Sequence, residues 1–334
     1  MIIVMKLSAT AAQIAAVVEQ IHAAGLKEHI SRGAELVIIG AIGDEDRLNG
    51  AHFEMLAGVE RVTRMTKQYK IVARDTHPGG SVIKVRGIAI GGEQIQVFAG
   101  PAVIEGAEQM QLATQAVQAA GCRFLKANLF QGLGGPYDAP QLDLSQLAHL
   151  QAAARAARAP WMTELYDLNA LDALLAADVD VIQVGALQSA ALLREVGRIN
   201  KPIVLNRGVA ASLGEWLMAA EHIAAGGNHH IMFCEQGARA GEAAYRQSLD
   251  VAAIAMLKRE THLPVLVNAS QSAAWMVPFL AQAALAAGAD GLLLDVHPTP
   301  ARAWCGAEQA LNPEQLCALM ATLRSIASAL GRSL

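Results

Sequence analysis

Cysteine, basic runs and long apolar stretches are all scarce in this chain, and each scarcity removes a class of function. The four cysteines (Cys122, Cys234, Cys305 and Cys317) are scattered and form no Cys-x-x-Cys pair, so they give no disulfide framework. The formal net charge is −4 and no basic run is present, which argues against a nucleic-acid partner. No apolar stretch reaches the ~18 residues of a membrane span. The opening MIIVMKLSAT is too short and too soon polar for a signal peptide. A cytoplasmic protein with reduced thiols, and with neither nucleic-acid nor membrane partners, is the expectation. Charged residues make up only 17% of the chain against 53% hydrophobic, so material for a large buried core is abundant. A length of 334 residues suits two domains, or one large barrel with an appendage.

Residues 1–67 read as a small domain. Ile2–Leu7 is a strand, and Ser8 and Thr10 then open a helix over Ala11–Ala24, apolar at helical spacing. Glu28–Ser31 and Leu36–Ile42 alternate as strands, His52–Ala57 is a short helix, and Val59–Met65 a last strand. This βαββαβ order is the ferredoxin-like pattern of many small regulatory modules. Residues 68–95, with Gly79, Gly80, Gly87, Gly91 and Gly92, read as a turn-rich connector containing a hairpin.

From residue 96 to 334, short apolar strands alternate with Ala/Leu-rich helices eight times, the signature of a (β/α)8 TIM barrel. The strands are placed near Gln96–Ala102, Arg123–Leu129, Trp161–Leu165, Val181–Gly185, Pro202–Arg207, His230–Glu235, Pro264–Ser270 and Gly291–His297. Gly121, Asp178, Gly226/Gly227 and Gly288 end helices before the next strand. Chemistry in such a barrel sits at the strand C-termini. Those ends carry Ala102; Lys126 with Asn128; Glu164; Gln183; Asn206 with Arg207; Glu235; Asn268 with Ser270 and Gln271; and Asp295 with His297. Three carboxylates, several amides, one histidine and few cations make an unusual mouth.

Ordered matches along the whole chain carry a resemblance: HISRG (29–33), IGAIGD (39–44), AGP (99–101) with Glu105, IQVGA (182–186), NKPIVLNRG (200–208), AAEHIAAGGN (219–228), CEQG (234–237), HLPVLV (262–267) and DVHP (295–298). The chain resembles the type I 3-deoxy-arabino-heptulosonate 7-phosphate (DAHP) synthases that carry an N-terminal ferredoxin-like regulatory domain. That resemblance implies condensation of phosphoenolpyruvate with erythrose 4-phosphate at a divalent metal held by Cys, His, Glu and Asp. It also implies feedback inhibition by tyrosine or phenylalanine bound to the first domain, around His29, Ser31 and Asp44. The alternative for those three residues is a purely structural or dimer-contact role.

The positions matching the metal ligands hold Ala102, Gln271, Asp295 and Gly306, so no metal and no other cofactor is expected. The family's anion clamps are altered as well. Its Lys-Pro-Arg-Thr/Ser run aligns with Gln131-Gly132-Leu133-Gly134-Gly135, and its Gly-Ala-Arg with Gly185-Ala186-Leu187. A family Lys becomes Asn206, the Arg of Cys-Glu-Arg-Gly becomes Gln236, and a strand-two Arg becomes Lys126. Each lost charge-assisted contact is worth roughly 1.5–3 kcal/mol.

The first expectation is therefore a divergent relative that performs a metal-independent aldol or lyase-type step on a different, less phosphorylated substrate in specialised metabolism. The second is an inactive pseudoenzyme binding aromatic amino acids or a partner enzyme. The third is a true DAHP synthase with a rearranged site. Lys126, Glu164, Glu235 and His297 are the candidate catalytic groups; Asn128, Gln131, Gln183, Asn206, Arg239, Asn268, Gln271 and Asp295 are the candidate substrate contacts. Lys126 either forms a Schiff base or anchors a carboxylate, as the family Arg does, or pairs with Glu164. His297 acts in proton transfer or holds structure. His229 and His230 begin strand six at the opposite face and read as structural. Trp275 and Trp304 either line a pocket or fill space. A small-molecule substrate, an aromatic amino-acid effector and a homo-oligomer, tetramer or dimer, are expected.

Overall fold

The computed structural model describes residues 1–32, 37–43, 48–63, 68–129, 144–185, 189–239 and 247–334. It divides into two compact units, Met1–Gly80 with Glu260–His262, and Ser81–Arg259 with Leu263–Leu334.

In the first unit the order is β1 (Ile2–Met5), α1 (Ala11–Ala23), β2 (Lys27–Arg32), β3 (Val37–Ile42), α2 (Gly50–Glu54) and β4 (Val59–Thr63). The four strands form one antiparallel sheet in the order β2-β3-β1-β4, the ferredoxin-like arrangement. Thr10 caps α1 because its hydroxyl accepts from the Gln13 N–H while the Gln13 side chain accepts from the Thr10 N–H. The apolar stripe of α1 (Ile14, Val17 and Ile21) then packs on Ile3, Met5 and Ile39, and Phe53 of α2 completes that core.

The second unit opens with a hairpin, β5 (Ile83–Val85) and β6 (Ile88–Ile90). Its two-residue turn, Arg86-Gly87, has φ of 45° and 80°, the double left-handed turn that suits strand twist. The barrel strands follow as β7 (Gln96–Gly100), β8 (Phe124–Lys126), β9 (Trp161–Glu164), β10 (Val181–Gly185), β11 (Ile203–Asn206) and β12 (Ile231–Glu235). A small antiparallel pair, β13 (Ala238–Arg239) and β14 (Gln247–Ser248), precedes β15 (Val265–Asn268) and β16 (Gly291–Asp295). Among the described residues, β7–β12, β15 and β16 are parallel and close into an eight-stranded barrel.

A helix follows each barrel strand: α3 (Ala107–Ala119), α4 (Leu147–Ala157), α5 (Leu171–Ala176), α6 (Ala190–Val196), α7 (Leu213–Ala225), α8 (Val251–Glu260), α9 (Val277–Ala286) and α10 (Pro313–Ala329). Gly121, Asp178, Gly227 and Gly288 take left-handed φ after their helices, as their positions suggest; Gly226 remains right-handed, and Arg158 adopts φ 51° after α4, unannounced by residue type. No described helix is long and apolar enough to cross a membrane.

Alternate side chains point inward. Phe98, Phe124, Met162, Val181, Val204, Met232, Leu266 and Leu293 make one interior cluster, joined by Ile83, Val85 and Ile90 of the hairpin. The hairpin closes the end where strands begin: the Gln96 amide donates to Ala89 O at 2.9 Å, and Arg86 pairs with Asp180, just before β10. At the other end, Gly100 lets β7 approach β8. A Cβ there would lie 2.0 Å from Lys126 O, and its φ of 154° is a conformation that other residues rarely adopt. Phe98 and Phe124 stack with centroids 4.3 Å apart in the interior. Phe124→Ala is expected to cost about 3–5 kcal/mol in chemical denaturation, with an unchanged fold by circular dichroism.

Candidate active site

The period of two that fills the barrel with Phe98, Phe124, Met162, Val181, Val204, Leu266 and Leu293 carries on to the strand ends. It brings Gly100, Lys126, Glu164, Gln183, Asn206, Asn268 and Asp295 to the mouth. Lys126 is the one cation among these described inward strand ends. Its ammonium donates to Asp295, and the two side chains are only 7% and 9% exposed. The Asp295 backbone N–H donates to the Ser270 hydroxyl at 2.8 Å. Asn268 caps the short turn that places Ser270, accepting its N–H at 3.1 Å.

Across the mouth the Gln183 amide donates to Asn206 at 2.9 Å, and the Asn206 amide reaches Glu164 at 3.5 Å. Burial pushes the Glu164 carboxyl above the usual carboxylate range, while a hydrogen bond from Tyr166 and the charge of Lys126 pull it back. Asn128 sits beyond β8, its backbone bridged to Val103. Gln271 ends the turn after β15 and is partly exposed.

Two candidates fall elsewhere. Cys234 belongs to the interior cluster, so Glu235 is turned outward, not into the mouth as the strand-end reading placed it. There it accepts from Arg207 at 2.9 Å and from the Gly237 N–H at 2.6 Å. Arg207 also donates to Asp250 at 2.9 Å and lies 6.0 Å from the Trp216 ring. The buried carboxylate is raised by desolvation and held down by Arg207. Arg239 lies exposed on β13. His229 and His230 immediately precede β12, at the end away from the mouth, and are exposed.

His297 has both ring nitrogens engaged. Nδ1 accepts from the Thr299 N–H at 3.0 Å, which leaves Nε2 to donate to Glu105 at 3.3 Å. The other Glu105 oxygen accepts the Trp304 N–H at 2.7 Å. This clamp ties the loop after β7 to the loop after β16, beside an open cavity of about 400 Å³ lined by Glu105, Gln109, Leu112, His297, Arg302 and Trp304. Trp304 is exposed at its rim, and Trp275 is exposed on the loop before α9. Gln131 and the segment through Gly135, together with Ala186, Leu187 and Asp44, lie outside the described residues. His29 and Ser31 occupy β2 of the first unit, where burial lowers the His29 imidazole below its usual range.

Tyr166 and Asp250 are contacts that the sequence reading missed, and Glu105 entered it only as part of a motif, with no partner assigned. Tyr166 carried a usable signal, standing two residues after Glu164 on the same side of the chain. Glu105 and His297 are 192 residues apart, and no local pattern joins them.

The four positions that match the family's metal ligands do not make a metal site here. Ala102 and Gly306 face each other, a Cβ on Gly306 lying 3.4 Å from Ala102 Cβ. Gln271 offers an amide, and Asp295 is already paired with an ammonium. No group of three or more His, Cys, Asp or Glu suited to a metal occurs among the described residues.

Residues 68–331 match the DAHP synthetase I family, and residues 1–67 match the DAHP synthase ferredoxin-like domain. A phospho-2-dehydro-3-deoxyheptonate aldolase of Thermotoga maritima is 36% identical over 336 residues, covering 99% of each chain. A crystal structure of the DAHP synthase of that organism superposes with a TM-score of 0.77 at 35% identity, covering 99% of this chain and 98% of that one. A 2-dehydro-3-deoxyphosphooctonate aldolase of Stenotrophomonas maltophilia is 28% identical over 272 residues, covering 73% of this chain and 95% of the relative. The end-to-end likeness to a DAHP synthase overturns the expectation of a step on a different, less phosphorylated substrate.

Glu164 makes the mouth sensitive to pH. A carboxyl raised by folding favours the protonated form, so its stabilising contribution is complete below the ordinary carboxylate range and is lost as pH rises through the folded value. Glu164→Gln is expected to melt higher than the parent at about pH 8, with the difference shrinking towards about pH 4. Thermal melts across that range check it.

Proposed function

This chain belongs to the DAHP synthetase I family, and from that premise we propose that it condenses phosphoenolpyruvate with erythrose 4-phosphate and water to give DAHP and inorganic phosphate. The observation that carries this reading is the 36% identity, sustained over 99% of both chains, to an enzyme named for the product. The curated names also bracket the aldehyde. A seven-carbon product less the three carbons of phosphoenolpyruvate leaves a four-carbon aldose phosphate, whereas an eight-carbon product needs a five-carbon one.

The chemistry asked of the mouth follows from the reactants. The methylene carbon of phosphoenolpyruvate attacks the aldehyde carbon and a C–C bond forms. The carbonyl π pair moves to its oxygen, which takes a proton. Water adds to the central carbon, and phosphate leaves. A positive charge near the aldehyde oxygen and the enolpyruvyl carboxylate favours this, as does a group able to hold a proton.

Lys126 supplies the charge and Glu164 the proton-holding carboxyl. The Gln183–Asn206 pair orients Glu164. Asn128, Asn268 and Gln271 offer amide contacts at the rim, and Arg239 is available for a phosphate. The clamp of His297 and Glu105 holds the neighbouring loops in place. Within the same reading, the first unit, around His29 and Ser31, binds an aromatic amino-acid effector, and the protein is a cytoplasmic homo-oligomer.

The purified protein is expected to consume phosphoenolpyruvate and release phosphate in equal amounts when erythrose 4-phosphate is supplied, at least tenfold faster than with a five-carbon aldose phosphate. Ultraviolet loss of the enol and a phosphate assay measure both. No consumption with either aldose phosphate, with or without added divalent metal, overturns the reading.

A further inference from the structure

We propose that the Lys126 ammonium, fixed by Asp295, stands in this chain as a built-in cation where relatives of its family recruit a divalent metal. The inference rests on the condensation reading above and adds what supplies the positive charge at the aldehyde.

Three observations meet at this point. The donors that the resemblance assigns to a metal have become Ala102, Gln271 and Gly306, and Ala102 faces Gly306 with only methyl-sized space between them. Asp295, the last acidic member, is not open to a metal: the Lys126 ammonium occupies it, and both side chains are buried at the mouth. Lys126 is also the one cation among the described inward strand ends, so the charge balance there depends on it.

A divalent ion entering this position would meet a like charge and a single carboxylate already neutralised. An ammonium needs no loading. It donates three hydrogen bonds, and Asp295 uses one, leaving others for an oxygen that gains negative charge. Charge stabilisation of this kind acts without covalent bonding to lysine. The carbonyl oxygen gains the π pair as the C–C bond forms, and the ammonium lowers the energy of that anion before its protonation.

The anchoring of Lys126 is built into the backbone. Gly100 admits the Lys126 carbonyl at a distance that no side chain would allow, which brings β8 close beside β7. The Ser270 hydroxyl fixes the backbone at Asp295. Both partners of the ion pair are therefore held by close packing and hydrogen bonds, as an electrostatic catalyst requires.

The test separates charge from metal. The full-length protein, stripped with a chelator, is dialysed against Co²⁺ and against Mn²⁺, and bound metal is counted. The expected result is well below one equivalent per chain, with no cobalt absorption band and with turnover unchanged by chelator. A quadruple variant, Lys126→Met with Ala102→Cys, Gln271→His and Gly306→Asp, is expected to take up Co²⁺ with a thiolate charge-transfer band. One tightly bound metal per wild-type chain, or turnover that needs added metal, overturns the proposal while leaving the condensation reading intact.

Lys126→Met is expected to lose about 100-fold or more in kcat with a smaller change in KM. The double variant Lys126→Met/Asp295→Asn avoids a stranded buried carboxylate and is expected to melt near the parent while remaining as inactive. Full activity in that double variant overturns the role of Lys126. Absence of turnover in the wild type under every condition defeats the condensation reading instead, and the metal count then still decides whether the ion pair has displaced the metal.

Discussion

Closing eight parallel strands into a barrel leaves each side chain only two directions, and everything at the mouth depends on that choice. Neighbours in sequence are sent to different environments. Asn206 turns inward to meet Gln183 and Glu164, while Arg207 turns outward to Glu235, Asp250 and the face of Trp216. Cys234 faces the interior and Glu235 the helical layer. One residue of slip in any strand would exchange these sets and bury charges without partners, at a cost no barrel of this size could absorb.

Among the described residues, the inward strand ends form an electrostatic arrangement with little charge left over. Lys126 and Asp295 neutralise each other, and Glu164 is surrounded by a phenol, an amide and the field of Lys126. A buried ion pair of this kind is weak support for stability, because desolvation offsets most of the attraction. Its effect is to fix where charge resides. Where the family resemblance implies a charge at position 206, Asn206 holds an amide oriented by Gln183, and it meets the Glu164 carboxyl as a hydrogen-bond donor.

A second pairing governs the rim. Glu105 and His297 lie on loops that follow the first and last barrel strands, and their hydrogen bonds, with those of Thr299 and Trp304, hold the two loops together. Loops set on such a scaffold supply the variable part of a barrel's chemistry, and this clamp limits how far these two can move.

Composition, periodicity and ordered motifs determined the fold: alternating strands and helices, left-handed positions such as Gly121 and Asp178, and the cap at Thr10 are all local signals. Strand-end position also made Lys126, Glu164, Gln183, Asn206 and Asp295 legible as one group, since a period of two needs no tertiary knowledge. The sequence placed Glu235 in that group wrongly, because it is the last residue of its strand but has the outward phase, Met232 and Cys234 taking the inward one. Only the folded chain decided that Lys126 pairs with Asp295 rather than with Glu164, that Glu105 holds His297, and that Ala102 faces Gly306. Those contacts join residues 169, 192 and 204 positions apart by chain numbering. Distance along a chain carries no information about direction in space until barrel closure sets both strand order and the face each side chain takes.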